Sequence, residues 1–163
     1  MAVALHEAGH VVVGRLLGLQ LLDADLDPDG EGGRGHTNFA HPGPWFTPER
    51  GSLTKAERDF IERVLTTFMA GYAAEERAGD LDPEGSGWDR DKSVREWAYH
   101  LEEPDLDVFL ERARALVARP ETWAAIQVVA AALEAKGKLD AHAVDLITAP
   151  PQPSPTGGEG TES

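Results

Sequence analysis

From Ala2 to Leu19 no strong turn signal interrupts the chain, and Val3, Leu5, Val11, Val12, Val13, Leu16 and Leu17 fall nearly all round a helical wheel. A helix that is apolar on every side is a buried one. Leu22 to Asp27 then alternates apolar and acidic residues with period two, which predicts a half-buried strand. Pro28-Asp29-Gly30 and Gly32-Gly33 supply a turn, and Gly35 to Ala40 reads as the returning strand of a hairpin. His41 to Gly51, with Pro42, Gly43, Pro44 and Pro48, is a loop. Thr54 and Glu57 form a capping box that opens a long helix with a single apolar stripe: Phe60, Ile61, Val64, Leu65, Phe68, Met69 and Tyr72. Gly79 ends it.

Shorter helices follow. The first runs from about Trp88 to Glu102, and Pro104 stops it. Asp105 caps the next, which extends to Arg119. Pro120 opens a third that ends near Gly137, and Asp140 caps a last one reaching Ile147. The pattern predicts a mainly α (α+β) domain over residues 1–148, about six helices with one small β-hairpin after the first. The Pro/Gly/Ser/Thr-rich stretch 149–163 has no large apolar residue and is expected to be disordered.

Composition narrows the function. The 163 residues carry a formal net charge of −14 and no cysteine. That charge opposes binding to nucleic-acid phosphates or an anionic lipid surface. Without cysteine there is no disulfide framework, thiolate zinc site or thiol nucleophile. The apolar run from Val11 to Leu22 is too short to span a bilayer, and no basic leader precedes it. A soluble, cytoplasmic protein without membrane insertion is the expectation.

The chemistry lies in the first helix. His6-Glu7-Ala8-Gly9-His10 has the HExxH pattern. Residues four apart on a helix differ by about 40° in direction, so His6 and His10 face the same way one turn apart and can share one zinc ion. Glu7 sits beside them as a general base for a water activated by the metal. Two imidazoles and a carboxylate on a buried helix also need partners, which strengthens the metal reading. The metzincin extension is excluded, because its glycine and histidine positions hold Val13 and Leu16. Glu31 has the spacing of a gluzincin glutamate but lies in a Gly-rich turn. Glu75 continues the apolar stripe of the long helix, so it faces inward, either in a buried hydrogen bond to a helix end or in contact with the zinc site.

Three ordered segments resemble the peptidase domain of the FtsH-type AAA+ proteases. They are His6-Glu7-Ala8-Gly9-His10-Val11-Val12, then Met69-Ala70-Gly71-Tyr72-Ala73-Ala74-Glu75-Glu76, then Ser86-Gly87-Trp88-Asp89-Arg90-Asp91-Lys92-Ser93. The similarity covers roughly residues 1 to 103, and more weakly extends to Ile147. The resemblance implies Zn2+ on His6, His10 and Asp89, with Glu7 as general base and Glu75 behind a ligating histidine. It also implies a substrate strand added to the hairpin edge near Gly35 to Ala40. Tyr72 stands where the family has arginine, and Asp91 remains a rival to Asp89 because the apolar stripe of the following helix is shifted by about one position. The sequence contains neither the family's ATPase module nor its transmembrane anchors, so the expectation is either a stand-alone peptidase-like domain or a piece of something larger.

Together these features predict a zinc metalloendopeptidase acting on unfolded or peptide segments of protein substrates, with a separate ATPase or a homo-oligomer as the partners left open. The alternative is a zinc-containing module that binds peptides or a partner, or regulates one, without cutting. A near-match to a phosphate-binding loop, Gly30 to Thr37, is set aside: His36 replaces the lysine and no helix can follow through Pro42 and Pro44. His36 and His41 read as surface residues on the hairpin and loop, and His100 and His142 as ordinary helix positions.

Overall fold

The first helix, α1 (Ala2–Leu16), crosses the long helix α2 (Lys55–Ala78) at a point where neither carries bulk. A Cβ at Gly9 would lie 2.5 Å from the Ala70 carbonyl oxygen and 3.1 Å from the Ala74 side chain. Glycine is required here by that close approach. α1 stops at Leu16, not Leu19: Gly18 takes a left-handed φ of 81°, and the Leu19 N–H donates to the Gly14 carbonyl at 2.9 Å. The computed structural model describes residues 2–30, 35–81 and 92–150.

The capping box of α2 forms as the sequence predicts. Thr54 Oγ1 accepts from the Glu57 N–H at 3.1 Å, Glu57 Oε1 accepts from the Thr54 N–H at 3.0 Å, and Gly79 closes the helix at φ 75°. α3 is Lys92–Ala98; its predicted start at Trp88 lies outside the described residues, and it ends four residues before Glu102 in a turn. Asp105 caps α4 (Leu106–Val117), Pro120 opens α5 (Pro120–Lys136), and Asp140 caps α6 (Ala141–Thr148). Of the predicted disordered stretch, residues 151–163 lie outside the described residues.

The sheet is larger than the predicted hairpin. β1 (Leu21–Asp25) pairs antiparallel with both β2 (His36–Phe39) and β3 (Lys138–Asp140), giving the order β2-β1-β3. β3 is too short to show a period of two, and its last residue doubles as the cap of α6. Leu139 is buried opposite Ala24. β1 departs from simple alternation as well. A bulge between Leu21 and Asp23 turns Leu22 outward, so that Leu21 and Ala24 are the buried pair. The acidic side chain of Asp23 in β1 is matched by Asn38, which donates to it at 2.7 Å, and by Lys138, 3.5 Å away.

α1 is wrapped by α2, α4 and α5, with β1 and β2 against it. The core is continuous around it through Val11, Val13, Ile61, Leu65, Ile126 and Leu133. β2 runs along α1: Gly35, just before the strand, lies against Glu7, and Phe39 packs where a Cβ on Gly14 would stand. Among the described residues, no helix is long and apolar enough to cross a membrane.

Candidate metal and peptidase site

Burial of α1 carries His6, Glu7 and His10 into the protein, with Glu7 4% and His10 8% exposed. Each of the three is met by a partner from another element. His6 Nδ1 lies 2.7 Å from Glu75 Oε1. His10 Nδ1 lies 2.8 Å from the Thr67 carbonyl oxygen. An ionised carboxylate and a carbonyl only accept, so both imidazoles carry a proton on Nδ1, and in the neutral ring Nε2 holds the lone pair. That tautomer, fixed by a carboxylate or a main-chain carbonyl, is the one in which Nε2 ligates a metal.

The two rings stand edge to face with centroids 4.6 Å apart. Gly71 of α2 makes the space they occupy: a Cβ there would lie 2.7 Å from His6 Nε2 and 2.8 Å from His10 Cε1. The donor set and this glycine cradle fit a zinc ion held by two imidazoles. Tyr72 packs against His6 with centroids 5.2 Å apart, and Phe68 against His10 at 6.1 Å.

Glu7 faces β2. Thr37 Oγ1 donates to Glu7 Oε2 at 2.6 Å, and a Cβ at Gly35 would fall 2.8 Å from Oε1. Beside His10 opens a cavity of about 350 Å³, lined by the residues of β2 and by Phe60, Val64, Phe68 and Trp97. Its outer wall is held by an aromatic cluster in which Phe46 stacks on Trp97 (5.8 Å, 26° between planes) and meets Phe60 at 5.0 Å. Among the described residues β2 pairs with β1 alone, and its strand residues line this cleft.

His6, Glu7, His10 and Glu75 therefore come together. Asp89, its rival Asp91, and Glu31 all lie outside the described residues; among those described, no group of three or more His, Asp or Glu forms a metal site by itself. His36 and His41 are exposed along the cleft, and His142 is on the surface. His100 has a buried Nδ1 with no hydrogen-bond partner among the described residues. The segment resembling a phosphate loop leads into strand β2, not a helix. Sequence reasoning missed Thr37 and the Thr67 carbonyl. The first carried a faint signal, since Gly35 and Thr37 alternate onto one face of a strand. The second, a main-chain atom in mid-helix, carried none.

Searched against models of known protein families and against curated protein sequences, the chain matches none.

Proposed function

We propose that the protein is a zinc metallopeptidase of the kind its three sequence segments resemble, the FtsH-type peptidase domain, cutting peptide bonds in extended segments. The observation that supports this best is the pair of fixed tautomers. His6 is oriented by Glu75 and His10 by Thr67, and their rings, with centroids 4.6 Å apart, stand on the helix that carries the buried Glu7.

In this reading His6 and His10 hold the ion, with Asp89 or Asp91 as third ligand. Zinc, when bound, supplies Lewis acidity toward water and the scissile carbonyl. Glu7 takes the proton from the attacking water and passes it to the leaving amine. The cleft beside His10 receives the substrate: the backbone of an extended segment finds hydrogen-bond partners along β2, and the aromatic walls take apolar side chains. Protein or peptide is thus the substrate class.

Elemental analysis of the purified chain should find about one zinc per molecule. Glu7→Gln should keep that zinc and lose peptide hydrolysis. Absence of zinc even after dialysis against it, or unchanged turnover in Glu7→Gln, would overturn the proposal. Zinc with no turnover in the wild type would favour the binding-module alternative.

A further inference from the structure

Glu7 is a carboxylate on a buried helix, and a base so placed works only if its oxygens point at the reacting water. Two groups outside α1 determine that direction, and both belong to β2 and its lead-in. The Thr37 hydroxyl donates to Glu7 Oε2 at 2.6 Å, a short charge-assisted bond. Two residues earlier, on the same face, Gly35 leaves Glu7 only enough room to stay there: an added Cβ would be 2.6 Å from Glu7 Cγ and 2.8 Å from Oε1. One oxygen is tethered, and the bare Cα of Gly35 makes the room the carboxylate occupies. Pro and bulky residues elsewhere in the loop could not do this, because the approach needs a bare Cα at one position and a hydroxyl two positions on.

We infer that Thr37 is a positioning residue for Glu7, and that Gly35 and Thr37 together make the orientation of the base depend on the placement of β2. The inference rests on the metallopeptidase reading and deepens it. The same strand lines the cleft that would receive an extended substrate. A segment pairing along β2 braces the strand that holds the base, so docking and base alignment are coupled. Loss of the tether leaves Glu7 in place as a base but lets its carboxylate rotate; misplacement on that scale costs about 10- to 100-fold in turnover.

Two readouts test this. The first is a double-mutant cycle on urea unfolding with Thr37→Val and Glu7→Leu, which needs no turnover; a fixed hydrogen bond makes the double variant less destabilised than the sum of the singles. The second is peptide hydrolysis by Thr37→Val and Thr37→Ser at equal zinc content. The expectation is coupling in the cycle, a kcat of Thr37→Val lowered about 10- to 100-fold with KM within about twofold, and recovery of most of that loss in Thr37→Ser, which keeps the hydroxyl. Additive singles, or wild-type kcat in a zinc-loaded Thr37→Val, overturn the inference while leaving the metallopeptidase reading intact. A wild type that neither takes up zinc nor cleaves peptide overturns the reading of the site and, with it, the base that Thr37 would orient.

Discussion

Glu75 and Glu76 are neighbours on α2 with the same chemistry and opposite fates. Glu75 points inward, its side chain 9% exposed, and accepts from His6 at 2.7 Å. Glu76 points outward, 39% exposed, and takes the Arg114 guanidinium of α4 in two bonds of 2.7 and 2.8 Å. Arg114 also meets Glu111, and the hydrogen bond it donates to Glu76, the larger cause, raises the already high pKa of the guanidinium. By distance the two contacts are equal. They differ in what replaces them when broken: water readily takes the place of a lost surface partner, whereas the His6 imidazole, its side chain only 20% exposed, has less access to a replacement acceptor. The inner pair fixes a tautomer; the outer pair fastens two helix surfaces.

The comparison makes its largest claim about the metal. Glu75→Leu should lower zinc affinity about 10- to 100-fold, read by competition with a chelating indicator, while Glu76→Leu should leave it unchanged. Equal effects of the two would erase the distinction. Next is the seam that allows the inner pair to form. Gly9→Ala puts a methyl group against the Ala70 carbonyl, a backbone atom that cannot move aside. Overpacking of this kind should cost about 1–3 kcal/mol in chemical unfolding; a neutral result would mean the helices cross less tightly.

A third glutamate of α2 sharpens the scale. Glu57 is held by the Thr54 N–H, the largest influence, and by the Thr54 hydroxyl and the Thr47 N–H; together they outweigh burial and keep its pKa below the ordinary 4.5. With the folded value depressed, the contribution is fully present above the unfolded pKa and is lost as pH falls through the folded one. Glu57→Gln should therefore flatten the acid limb of stability below about pH 4.5, and Thr54→Ala should cost about 1 kcal/mol near neutral pH. The smallest effect belongs to the outer pair. Glu76→Ala should cost at most about 1 kcal/mol in low salt and less in high salt. A larger, salt-independent loss would show that the α2–α4 contact depends on it.

Glu75 could be singled out in the sequence because it continues the stripe of Val64 and Phe68, but Glu76 lies four residues past Tyr72 and seven past Met69, so the stripe alone did not separate the two. Helix ends at Thr54, Gly79, Asp105 and Asp140 were legible, since a cap is a local arrangement of a few neighbouring residues. The bulge at Leu22 was not, because it depends on how β1 registers against Phe39 and Asn38. Nor was β3, whose three residues become a strand only by lying beside β1.

What the sequence by itself determined is the set of helices, their caps and the shared direction of His6 and His10, because a helix repeats every few residues and its own geometry aligns them. The tertiary structure alone decided what those side chains meet. Glu75 lies 69 residues from His6, Thr67 57 from His10 and Thr37 30 from Glu7. Only packing α2 and β2 onto a buried α1 brings them within hydrogen-bond reach, and burial makes each of those partners necessary.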